Sequence, residues 1–227
     1  MQFDLQRKDI ELKQNLLRLY GIKNIPSDTY LRERLDEVEA KNLRAPFKQV
    51  FSLLQRGKVL EHYSFIDNHY LLALDGTGQY FSNKVHCENC CEKHHKDGRV
   101  SYYHQLLGAV MVHPRQKHVI PLAPEPITKA DGHTKNDCEG NAAKRLLPCI
   151  RKEHPHLKLI IVEDALASNV PHIKLIESLN MQYIIGVKPD SHEYLFDYVN
   201  NSEYMIHEDI DLDKTKRVYK FVNNAPL

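Results

Sequence analysis

Two aspartates close apolar, strand-like runs. Asp75 follows Tyr70-Leu71-Leu72-Ala73-Leu74, and Asp164 follows Leu157-Lys158-Leu159-Ile160-Ile161-Val162-Glu163. Alternate strand residues share a face, so Leu71, Ala73 and Asp75 form one row and Ile160, Val162 and Asp164 another. If the two strands are neighbours, both carboxylates meet at the carboxyl edge of a sheet, where open α/β sheets bind their ligands. An all-oxygen pair of this kind suits divalent magnesium or manganese and the chemistry of phosphoryl transfer. The competing role for each aspartate is to cap a turn. Glu163 adjoins Asp164, but alternation sends it to the opposite face. A third carboxylate is missing from the pattern. Glu139 is a weak substitute, because Asn136-x-x-Glu139 also has the spacing of a helix capping box. Asp131 and Asp137 read as turn and first-turn residues.

A second cluster offers softer ligands. His86, Cys87, Cys90, Cys91, His94, His95 and His104 crowd into one short span. Cys87-x-x-Cys90 has the spacing of half a zinc site, with His94 or His95 as a third ligand and His104 as a fourth. A polar insertion that happens to be rich in these residues is the alternative. Cys138 and Cys149 read as a helix-start and a core residue.

The elements that position these residues follow from periodicity. Residues 1–60 read as a small helical region. It holds a helix ending at Gly21, a second capped by Ser27 or Asp28, and a third carrying the stripe Phe47, Val50, Phe51, Leu54. Residues 61–227 then change pattern. Tyr70–Leu74 is a buried-type strand, and Tyr102–His113 with Lys117–Leu122 form a hairpin broken by Pro114. Asn136 to Glu153 is a helix, Leu157–Val162 a central strand, Pro171–Leu179 a short helix and Gln182–Val187 a strand. That order predicts an α/β domain with a mixed sheet and flanking helices.

Composition sets the frame. The chain has 227 residues, 42% hydrophobic and 27% charged, which suits one good core plus an appendage. No apolar run approaches a membrane span and no signal-peptide pattern opens the chain, so a cytoplasmic location without membrane partners is expected. Five cysteines, two of them adjacent, do not suggest a disulfide framework. A formal charge of +1 gives no global positive field, so DNA contacts must be local. Lys93, Lys96 and Arg99 form one basic group; Lys144, Arg145, Arg151 and Lys152 form another. A solvated helix face balanced by Glu139 and Glu153 is the plainer reading of the second group.

The runs LQRGKVLEHYSF, ALDGTGQYFS, HCENCC, YYHQLLGAVMVHP, PLAPEPI, DGHTKNDCEGNAAKRLL, VEDALASNVPHI and YIIGVKPDSH resemble the DDE-class transposases of bacterial insertion sequences. The resemblance runs from about Ile25 to the C-terminus, and KNDCEGNAAKR and the ALDGT strand are its most specific pieces. It implies a ribonuclease H-like fold and metal-dependent cleavage and transfer of DNA strands. Carried over by position, Asp75 and Asp164 are the first two catalytic carboxylates, binding magnesium or manganese. Asp75 would bridge two ions and Asp164 would anchor one. The third, a Glu on a helix beyond a β-rich insertion, has no counterpart in this chain. The residues from about 202 resemble the start of that insertion, so the resemblance implies a truncated catalytic domain. It also implies transposon-end DNA as partner, a homodimer in the complete protein and a nucleoid-associated location in a bacterium. The alternative expectation is a catalytically inactive DNA- or partner-binding remnant.

Overall fold

The structure, a computed structural model, describes residues 2–129, 138–210 and 215–225. The chain forms two compact units, Met1–Pro46 and Phe47–Leu227.

The first unit is helical: α1 Gln2–Gln6, α2 Ile10–Tyr20 and α3 Asp28–Asp36. Asp9 caps α2 by accepting from the Leu12 amide at 2.9 Å, and Ser27 caps α3 by accepting from the Tyr30 amide at 3.2 Å. Gly21 ends α2 in the left-handed conformation at φ 68°, as the sequence predicts. No residue of α2 or α3 is fully buried, and Leu16 and Leu31 are partly covered.

The second unit takes in all but the first turn of helix α4 (Arg44–Arg56), which sends Phe51 into the core, where Leu60 and Tyr63 join it. That core lies against a mixed sheet of seven strands. They are β1 Tyr70–Ser82, β2 Cys91–His94, β3 Val100–Val112, β4 Ile120–Pro121, β5 Glu125–Ile127, β6 Leu159–Glu163 and β7 Gln182–Ile185. The main order is β2-β3-β1-β6-β7, with β4 and β5 also paired to β3. β3 runs antiparallel to β1, whereas β6 and β7 run parallel to it and to each other. This is the mixed α/β architecture the sequence predicts, and it is consistent with a ribonuclease H-like fold.

Helix α5 (Glu139–Glu153) precedes β6, and α6 (Val170–Ser178) joins β6 to β7. Leu146, Leu147 and Ile150 of α5 and Ile176 of α6 pack with Leu72 and Leu74 of β1, Met111 of β3 and Ile161 of β6. All but Leu74 are essentially inaccessible. Arg151 fixes the α5 end by donating to the carbonyls of Leu157 and Leu179 at 2.8 Å and of Asn180 at 3.1 Å. Helix α7 (Glu193–Asn201) and an exposed antiparallel pair, β8 Met205–Ile210 and β9 Lys216–Phe221, complete the described chain. Among the described residues, no helix is long and apolar enough to cross a membrane.

Two boundaries differ from the sequence expectation. β1 does not stop at Leu74 but runs on to Ser82, because β3 keeps pairing with it after β6 has ended. Helix α5 begins at Glu139 with Cys138 as its N-cap, while Asn136, Asp131 and Asp137 lie outside the described residues.

Candidate functional site

The parallel register between β1 and β6 pairs Leu71 with Ile160 and Ala73 with Val162. Two residues further along each chain stand Asp75 and Asp164, on the same face by alternation. Asp75 therefore sits where β1 loses its β6 neighbour, and Asp164 is the first residue past β6. Both are exposed. Asp164 also takes the turn-capping role, its Oδ1 accepting from the Leu166 amide at 2.9 Å.

Glu139 reaches the same place from the other face. Its carboxylate lies against the backbone of Gly76: a Cβ at that position would stand 1.9 Å from Oε1 and 2.4 Å from Cδ. Gln105 of β3 donates its side-chain amide to Glu139 Oε1 at 3.0 Å. Glu139 is thus tied to the sheet through Gln105, across from its own helix end. Burial, then the negative charge of Asp75 and then that of Asp164, pushes the Glu139 carboxyl above the usual range, and Glu163 adds to this, while the Gln105 bond opposes it. The capping-box spacing of the sequence had hidden this placement.

Glu163 points to the helix face, as alternation predicts. Its carboxylate meets His172 Nε2 at 2.5 Å, and both side chains are almost wholly enclosed. Asn169 caps α6 by accepting from the His172 amide at 3.0 Å, so the imidazole is held at the first turn of that helix. Sequence spacing gave no sign of this pair; a polar residue following a buried strand on its helix-facing side was the only clue.

Together Asp75, Gln105, Glu139, Glu163, Asp164 and His172 line one cavity of about 470 Å³. The carboxylate donors suit a hard divalent cation. Burial first, and then the charges of Asp75 and Asp164, disfavour the ionised form of Glu139, a cost that a cation would offset. Even so, their oxygens do not gather into one tight cluster. Among the described residues, Cys87, Cys90 and His104 are the group whose ligand atoms all lie within 4.8 Å of one another.

No known family model and no curated protein matches the chain. Among solved structures, a piggyBac transposase in a synaptic complex with hairpin DNA is similar, at 14% identity and a TM-score of 0.40. The similarity covers 85% of this chain and 40% of that one. So distant a likeness assigns no residue and no chemistry.

The basic residues expected to meet DNA are mostly engaged within the chain. Arg145 pairs with Glu125 at 2.7 Å and donates to the Pro126 carbonyl at 3.0 Å. Arg99 pairs with Asp97 at 2.7 Å, Lys144 donates to Asn141 at 3.1 Å, and Lys93 is exposed on β2.

Proposed function

We propose that this chain carries the DNA strand-cleavage and strand-transfer chemistry of a DDE-type transposase, with Asp75 and Asp164 as its paired carboxylates and Glu139 as the third. The observation that supports this reading most is the convergence of all three on one cavity, with the charges of Asp75 and Asp164 acting on Glu139. Bound magnesium or manganese would supply Lewis acidity to a phosphodiester and a lowered pKa to an attacking water.

The rest is done by the chain's own groups. Gln105 orients the Glu139 carboxylate, and Gly76 leaves room for it. Asp164 keeps one oxygen on the Leu166 amide, which fixes its rotamer. The enclosed Glu163–His172 pair anchors the start of α6 beside Asp164. Exposed Asp75 and Asp164 leave the cavity mouth open to a DNA backbone, and exposed Lys93 and Lys144 are the candidates to meet its phosphates, because Arg145 and Arg99 are held by Glu125 and Asp97.

One observation favours a second reading, a catalytically inactive DNA- or partner-binding remnant: the carboxylate oxygens stay too far apart to form a tight ligand group. Cleavage of transposon-end DNA with manganese separates the two. The first reading predicts cleavage by the chain that is lost in Asp75→Asn and Asp164→Asn while folding and salt-dependent binding persist. Salt-dependent binding with no cleavage, unchanged in both variants, would leave only the second.

A further inference from the structure

We propose that Cys87, Cys90 and His104 bind a zinc ion that fastens the turn before β2 onto β3, with water in the fourth position. A tetrahedral zinc with Zn–S of about 2.3 Å and Zn–N of about 2.0–2.1 Å requires S···S edges of about 3.8 Å and S···N edges of about 3.5 Å. The chain places Cys87 Sγ and Cys90 Sγ 3.7 Å apart, and His104 Nε2 lies 3.3 Å from the first and 3.4 Å from the second. All three edges match a tetrahedron already assembled around one point.

Local structure explains the match. The Cys90 amide donates to the Cys87 carbonyl at 3.2 Å, closing a turn that brings both thiols to one side. The Cys87 amide donates to Cys90 Sγ at 3.3 Å, the type of bond that stabilises a metal-bound thiolate. His104 comes from the middle of β3, opposite Tyr80, so the third ligand is distant in sequence and rigidly mounted.

The histidine that sequence spacing favoured is not the one brought in. His94 is largely exposed and its Nε2 faces Glu92 at 3.3 Å; His95 Nε2 is bonded to Ser101 Oγ at 2.7 Å. Cys91 is fully buried with its thiol donating to the Ile127 carbonyl at 3.5 Å, on the core side of the sheet. His104 and Gln105 are consecutive and face opposite sides of β3. The zinc group is thus separate from the carboxylate cavity, and its fate does not depend on that of the cleavage reading.

The full chain, purified without a histidine tag in zinc-containing buffer and dialysed against metal-free buffer, tests the proposal. We expect about one zinc per chain by elemental analysis. We also expect a thiolate-to-metal charge-transfer band with tetrahedral ligand-field bands when cobalt(II) replaces zinc. His104→Ala and Cys90→Ser should weaken zinc retention beyond the about 10–100-fold typical of losing a supporting contact, while His94→Ala leaves it unchanged. Should Cys90→Ser fail to fold, cobalt titration of the metal-stripped wild-type chain decides alone. Recovery of Cys87 and Cys90 as a disulfide, absence of both zinc and the cobalt band, or equal losses in His94→Ala and His104→Ala would each overturn the assignment.

Discussion

Replacing Gly76 by alanine is the sharpest test of how the carboxylate cavity is built. The new Cβ would fall 1.9 Å from Glu139 Oε1, 2.4 Å from Cδ and 2.9 Å from Gln105 Nε2. Those contacts are impossible, but they are made with the far ends of two flexible side chains, so the carboxylate swings away instead of the sheet deforming. The Gln105–Glu139 hydrogen bond is lost, at about 0.5–1.5 kcal/mol net. In the opposite direction, alanine is better than glycine inside a strand by roughly 0.5–1 kcal/mol. The two nearly cancel, so Gly76→Ala should change unfolding free energy by less than about 1 kcal/mol. Its functional effect should be large, because the displaced Glu139 no longer shares a cavity with Asp75 and Asp164. Chemical denaturation gives the first quantity; manganese titration by calorimetry and a DNA cleavage assay give the second. A stable Gly76→Ala chain with unaltered manganese affinity and cleavage would refute the role given to Glu139. A loss above about 3 kcal/mol would refute the premise that the clash is relieved by side chains alone.

Other perturbations separate fold from site. Glu139→Gln should stabilise the chain at neutral pH, because the native carboxyl titrates above the usual range and its ionised form is disfavoured. The gain should disappear as pH falls below the ordinary glutamate range, where both states are protonated; thermal melts across pH would show the reverse trend if the sign were wrong. Half-burial keeps this gain below about 1 kcal/mol. Asp164→Ala should cost about 1 kcal/mol through its lost turn cap, whereas Asp164→Asn should cost less, so equal melting points for the two would argue against the cap. Arg151→Lys should destabilise by roughly 1–3 kcal/mol, since an ammonium cannot span the Leu157, Leu179 and Asn180 carbonyls, and it should leave DNA affinity unchanged in an anisotropy assay. Leu146→Ala, in the centre of the α5 contact, should cost about 2–5 kcal/mol by denaturant melt.

The parts of this fold that depend on local pattern were legible in the sequence. Alternation along Leu71-Ala73-Asp75 and Ile160-Val162-Asp164 foretold the shared face, and the apolar periodicity of α5 foretold its buried stripe. Gly21 and Ser27 marked their helix ends for simple stereochemical reasons. What stayed hidden depends on tertiary partners. The continuation of β1 past Asp75 is polar and glycine-rich, and it is a strand only because β3 lies beside it. Glu139 looked like a capping residue because its competitor, Gln105, is distant in sequence. His104 was outranked by His94 for the same reason: spacing weighs neighbours along the chain, and the turn at Cys87–Cys90 faces across the sheet.

Strand β1 carries a bulge between Gly78 and Tyr80, where its register against β3 shifts, and this bulge decides where the chain can change length. Gly78 pairs with Gln105 and Tyr80 with His104, so Gln79 is one residue more than the ladder needs. Its deletion would give a regular ladder that still sets Tyr80 opposite His104. A single deletion between Leu71 and Asp75 has no such slack, because a shift of one position exchanges the two faces of everything beyond it. Asp75 would then be offered to the side that Gly76 now keeps clear for Glu139. Lineages of this protein should accordingly gain and lose residues at position 79 and hold the count fixed before it.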